Sequence, residues 1–152
     1  MLELEPVMTY RVTTRGPLGT TEGSPLGTRQ FHEMSEGTLV GPGLRASIGM
    51  PGGDWYASGA DGLGRPDVRV PLRTDDGELI LLHYTGLVEP TEAFLQAIEA
   101  DAATDWDDQY MRMVMTFDTG AERYRWLNRS LFVARGRLLG RSTVEYEIYR
   151  VA

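Results

Sequence analysis

Glycine and proline recur so often along this chain that long helices have almost no room between them. Eighteen glycines and eight prolines are spread over 152 residues, and extended amphipathic patterns are nearly absent. Short strands separated by turns suit such spacing, which predicts an all-β sandwich or barrel. Strands are expected at 4–14, 29–34, 37–48, 52–57, 66–74, 78–86, 109–118, 129–138 and 142–151. In the last of these, Val144, Tyr146 and Ile148 share one face, with Glu145, Glu147 and Tyr149 on the other. Asp76-Gly77 supplies a hairpin signal before an apolar run. Residues 15–28 read as a flexible loop or a marginal strand.

The exception is "EPTEAFLQAIEADAATDW", residues 89–106, where Pro90 suits a first helical turn and Phe94, Leu95 and Ile98 form an apolar stripe. It is expected as a lid or plug on an open barrel end. With no repeat, linker or low-complexity tract, residues 1–152 form one domain. About 8 to 10 strands and one short helix predict a single antiparallel β-barrel, closed or nearly so. Such a barrel holds packed side chains or one small ligand.

Composition narrows the chemistry. The net charge of −7 argues against nucleic acid, whose phosphates require basic neutralisation. No apolar run approaches the roughly 20 residues of a membrane span, and the acidic N-terminus is unlike a signal peptide. A cytoplasmic protein is expected. The absence of cysteine excludes disulfides, thiolate metal sites and cysteine nucleophiles. All 15 basic residues are arginine, so lysine Schiff-base chemistry is excluded as well. His32 and His83 form no metal-binding pair, and the acidic glycine-rich segment 52–67 lacks the spacing of a calcium loop. Neither a metal nor another cofactor is expected. No GxSxG elbow, phosphate loop or dinucleotide fingerprint is present.

Two strands present one polar and one apolar face. Asp67, Arg69, Pro71 and Arg73 oppose Val68, Val70 and Leu72; Tyr110, Arg112, Val114, Thr116 and Asp118 oppose Met111, Met113, Met115 and Phe117. The polar faces are either solvated or turned into the lumen, where burial would force them to pair. Both faces of "ELILLHYTG" are largely apolar, as expected of a strand covered by the lumen on one side and by a helix or a second subunit on the other.

The motifs "GGDW" (52–55), "RTDDGELI" (73–80), "YMRMVMTFDTG" (110–120) and above all "YRWLN" (124–128) resemble the domain-of-unknown-function 3237 family, in order and spacing from about Gly37 onward. The resemblance implies a compact, lipocalin-like barrel and carries no assigned activity. The chain departs from the family pattern at Gly53-Asp54, which lacks an intervening alanine, at Val70 and Met111, which stand where aromatics are usual, and at Asp118, which replaces glutamate. Asp54, Trp55, Arg69, Arg112, Thr119, Tyr124, Trp126 and Asn128 are kept.

A cofactor-independent enzyme is the leading expectation. It would act on a small apolar or aromatic molecule by isomerisation, cyclisation, or hydration and elimination. Asp54 is the candidate acid or base, Arg69 or Arg112 the partner of an enolate or carboxylate, and Tyr84 or His83 the second proton carrier. Trp55 and Trp126 would stack on the substrate; Asp67, Thr119, Tyr124 and Asn128 would orient it, the last with Tyr124 and Trp126 on one side of an extended chain. A non-catalytic binding barrel and a structural homo-oligomeric domain, as a dimer, are the alternatives.

Overall fold

A computed structural model describes residues 1–152. Ten antiparallel strands run in chain order: β1 (Leu4–Thr21), β2 (Thr28–Gly41), β3 (Leu44–Ile48), β4 (Gly52–Ser58), β5 (Gly64–Arg65), β6 (Asp67–Thr74), β7 (Leu79–Glu89), β8 (Tyr110–Asp118), β9 (Phe132–Gly140) and β10 (Thr143–Val151). The ring closes because the long β1 pairs with β10 along one edge and with β2 along the other. From β2 the ladder passes through β3 and β4 to β6, then through β7, β8 and β9 back to β10. A closed ring leaves no long sheet edge unpaired, which suits a chain with so many strands.

The apolar faces turn inward. Val68, Val70 and Leu72 of β6, and Met111, Met113 and Met115 of β8, are buried, whereas Arg69 and Arg73 point outward. Hydrophobic burial decides this: turning the strand over would bury unpaired guanidinium groups. Tyr10, Tyr84 and Tyr146 fill the middle, with Tyr10 stacked on Tyr146 at 6.0 Å and Tyr84 edge-on to Tyr146 at 5.6 Å. Gly136 makes room, since a Cβ there would lie 2.3 Å from Met111 Sδ and 2.8 Å from the Tyr146 ring.

The two ends are closed differently. The β7–β8 connection carries helix α1 (Glu92–Ala100), which packs Phe94, Ala97 and Ile98 toward the barrel. Thr91 caps its first turn, accepting from the Phe94 N–H at 3.3 Å. The helix stops where Asp101 takes a left-handed conformation, shorter than the segment expected from sequence. Arg141 then donates to the Ile98 and Glu99 carbonyls, putting a cation on the negative end of the helix. At the opposite end, the β8–β9 connection forms a 3-10 helix, Glu122–Arg129, with Tyr124 and Leu127 buried.

Two local expectations are corrected and a third is decided between its alternatives. Residues 37–48 are not one strand, because Pro42 and Gly43, the latter at φ 63°, turn the chain between β2 and β3. Of the two forms expected for residues 15–28, loop or strand, 15–21 take the strand: Gly19, Thr20 and Thr21 pair with Phe31, Gln30 and Arg29 after a register shift that absorbs Pro17. Residues 124–128 are helical, not extended, so Tyr124, Trp126 and Asn128 do not form a row along one wall.

Candidate functional site

Two adjacent cross-strand rows organise the wall made by β2, β4, β6, β7 and β8. One row, His32, Asp54, Val68, Tyr84 and Met115, faces inward; the next, Glu33, Gly53, Arg69, His83 and Thr116, faces outward. A one-residue step along any strand therefore passes from the barrel interior to its exterior.

The inward row opens, under α1, into a cavity of about 260 Å³. At the volume water occupies in the liquid this is space for roughly nine waters, enough for a molecule of one or two rings. Val12, Met34, Val68, Val88 and Met111 form apolar walls, Phe94 and Ile98 the lid, and Arg141 the rim. Besides Arg141 the polar groups are few: Asp54, Tyr56, Tyr84, Tyr146, His32, Gln30 and Thr14.

Asp54 is 9% exposed. Burial pushes its carboxyl up to about 7, against the pull of the Asp67 N–H, which donates to Asp54 Oδ1 at 3.1 Å; the Asp67 carboxylate pushes it further up. An acid balanced near neutrality can both take and release a proton. Burial, with Asp54 nearby, raises Tyr56, Tyr84 and Tyr146 above the usual phenol range, so all three remain hydroxyl donors at neutral pH. His32 stands directly opposite Asp54 across the strand pair, and burial lowers its pKa toward the neutral ring. Its Nε2 lies 3.3 Å from Gln30 Oε1, the geometry of a donor to that carbonyl.

Gly64 explains how a tyrosine fits beside the acid. A Cβ at this position would sit 1.6 Å from Tyr56 Oη, so only glycine lets the phenol lie against the backbone of β5.

The structure does not bring the sequence-derived candidates into one pocket. Asp54 and Tyr84 line the cavity. Trp55, Arg69 and His83 instead line an open groove of about 860 Å³ on the outer wall. Asp67 also faces that side, its Oδ1 3.0 Å from His83 Nε2, and its one hydrogen bond to Asp54 comes from its backbone N–H. Arg112 lies on another part of the outer surface, over the Tyr110 ring at 4.9 Å and donating to the Met111 carbonyl. Strand alternation is the cause, since all of these occupy the register opposite to the lumen.

Thr119, Tyr124, Trp126 and Asn128 are at the far end from α1 and make a lock. Asn128 Oδ1 accepts from the Thr119 N–H at 3.0 Å while Nδ2 donates to the Thr119 carbonyl at 2.7 Å. Thr119 Oγ1 donates to the Leu79 carbonyl, and Tyr124 Oη to Asp76 Oδ1 at 2.7 Å. Trp126 packs edge-on to Phe132. These contacts tie the 3-10 helix across the barrel base.

His32, Gln30, Tyr56 and Tyr146 line the cavity without having been singled out from sequence. Their signal was period two: Gln30, His32 and Met34 share one face, as do Asp54 and Tyr56.

The chain matches the family model described as "Protein of unknown function (DUF3237)" over residues 2–151. A UPF0311 protein of Clostridium acetobutylicum is 25% identical over 133 residues, which cover 87% of this chain and 84% of that protein. A crystal structure of a beta-barrel like protein from Acinetobacter baumannii superimposes with a TM-score of 0.82 and 29% identity, covering 100% of this chain and 97% of the other. A structure described as an enzyme from Penicillium herquei gives a TM-score of 0.71 at 21% identity, covering 99% and 95%, a likeness of fold.

Proposed function

This chain belongs to the DUF3237 family, and from that premise we propose that it is a cofactor-independent enzyme moving protons on a small neutral carbonyl or phenolic compound held under α1. The observation that carries the proposal is Asp54: a buried carboxyl with a pKa near 7, facing an apolar cavity rimmed by tyrosine hydroxyls.

The chemistry follows from the donor set. Asp54 as carboxylate takes a proton from carbon next to the carbonyl. The electron pair moves to the oxygen, where a hydroxyl of Tyr56, Tyr84 or Tyr146 stabilises it. Protonated Asp54 then returns the proton, to the same carbon or to another conjugated with it, so the net change is isomerisation with atoms balanced. His32 is the second carrier where the proton must leave by another side. Cyclisation and hydration or elimination use the same acid and base. The substrate is neutral because the one cation at the rim, Arg141, is committed to the carbonyls of α1, and a buried acid repels anions.

The test is deuterium incorporation from D2O into the α-carbons of 2-indanone, followed by NMR. The wild-type protein is expected to accelerate exchange over buffer, with a pH midpoint near 7. Asp54→Asn is expected to lose the acceleration and Arg69→Gln to keep it. Exchange no faster than buffer sinks the proposal, and saturable 2-indanone binding without exchange would make the barrel a carrier.

A further inference from the structure

We propose that the outer groove is a second ligand site, independent of the cavity under α1, and that it takes a flat aromatic carboxylate. The groove exists because of a missing side chain. In the outward row, Gly53 stands between Glu33 and Arg69, so the wall is sunken at this point. Phe31 and Trp55 lean over the gap: a Cβ on Gly53 would lie 2.7 Å from the Phe31 ring and 3.1 Å from that of Trp55. The two rings pack against each other at 5.3 Å, which holds Trp55 in place while leaving it 47% exposed. Pro51, Pro71 and Leu81 complete an apolar surface on the other side. At about 860 Å³ the groove is within the size range of small-molecule sites.

Arg69 gives the groove a free cation for an anion, while Asp118, a carboxylate of the lining that is in no ion pair, stands opposite Leu81, two residues along β8 from the Arg69 row. Most arginines of the chain are engaged, by carboxylates as with Arg11, Arg137 and Arg150 or by carbonyls as with Arg141. Arg69 is exposed in the groove, and none of the ion pairs or side-chain hydrogen bonds of the molecule involves it. Glu33, the nearest acid in the same row, is neutralised by Arg15. His83, next to Arg69 in the row, is steadied by Asp67 at 3.0 Å and forms a fixed wall. A guanidinium offers two parallel N–H groups to a carboxylate, and the exposed Trp55 face offers a stacking platform for the attached ring.

The experiment is calorimetric titration with 2-naphthoate and its neutral isostere 2-naphthamide, with light scattering on the same samples. Naphthoate is expected to bind one per chain, with affinity falling as salt rises. Binding should weaken about tenfold or more for the amide, and equally for Arg69→Gln, as loss of a charge-assisted pair requires. Trp55→Ala should weaken it too, and Asp54→Asn should leave it unchanged, which separates this site from the cavity. Absence of saturable naphthoate binding overturns the proposal, as does equal affinity for acid and amide. Loss in Asp54→Asn with retention in Arg69→Gln would move the ligand to the cavity and also overturn it. So would a dimer that Trp55→Ala dissociates, since the groove would then be an interface between two copies.

Discussion

Asp54 and Trp55 are consecutive residues of one strand that serve opposite sides of the barrel wall: the carboxyl is buried beneath α1, and the indole stands over the outer groove. One peptide step separates a water-poor acid from a solvated aromatic surface. The consequences can be tested one residue at a time.

The first concerns pH and stability. The Asp54 pKa is raised from 3.8 in the free side chain to about 7 in the fold. Ionising it therefore costs more in the folded state than in the unfolded one. Its contribution to stability is fully present below the unfolded value and is lost as pH rises through the folded value. Wild type is expected to lose stability between about pH 4 and 7. Asp54→Asn should flatten this slope, with a difference on the order of a few kcal/mol across the window. Urea midpoints across that pH range measure it, and parallel slopes for the two proteins would contradict the buried-acid description.

Asp67 touches both sides of the wall, through its N–H to Asp54 and its carboxylate to His83. Its negative charge helps to raise the Asp54 pKa. Asp67→Asn keeps the backbone bond and removes the charge, so the Asp54 midpoint should move down. Carboxyl-carbon NMR titration reads this directly, and an upward shift would show the charge effect to have been assigned the wrong sign.

Gly64→Ala is expected to force Tyr56 out of its place against β5, because the new methyl would overlap the phenol oxygen. Overpacking of this kind costs about 1–3 kcal/mol. Adding Tyr56→Ala should return part of that loss, a non-additivity expected of residues in contact. Thermal denaturation of the two single variants and the double variant tests it, and additive losses would mean that the phenol does not lie there.

Asn128→Ala leaves the buried Thr119 N–H and carbonyl without their side-chain partner. The expected cost is about 1–3 kcal/mol of stability, with 2-indanone binding unchanged because the lock and the cavity are at opposite ends. Denaturant melts paired with ligand titration would reveal an error here as lost binding in a protein of unchanged stability.

Much of the architecture was legible in the chain. Val144-Tyr146-Ile148 and Val68-Val70-Leu72 announced strands with one apolar face, and the interior took those faces. Asp54 and Tyr84 were legible as candidate site residues, and the segment around Phe94 as a lid over one barrel end. The shared pocket imagined for Trp55, Arg69, His83 and Arg112 failed because each is out of phase with the lumen by one residue. "YRWLN" misled for another reason. Alternating aromatics imitate a strand, yet the Asn128–Thr119 bonds and the burial of Tyr124 and Leu127 hold the segment as a 3-10 helix.

The sequence alone determined that this is a β-barrel with a helical lid, because glycine spacing and period-two alternation are local properties of the chain. It also determined which chemistries are absent, since a chain without cysteine or lysine cannot use them. Only the tertiary structure decided which polar residues meet. His32, Asp54 and Tyr84 converge through cross-strand register, and register depends on how distant strands bury their apolar faces together. The same burial withdraws water from Asp54 and places its pKa near neutrality, a property that belongs to the folded barrel and to no segment of it.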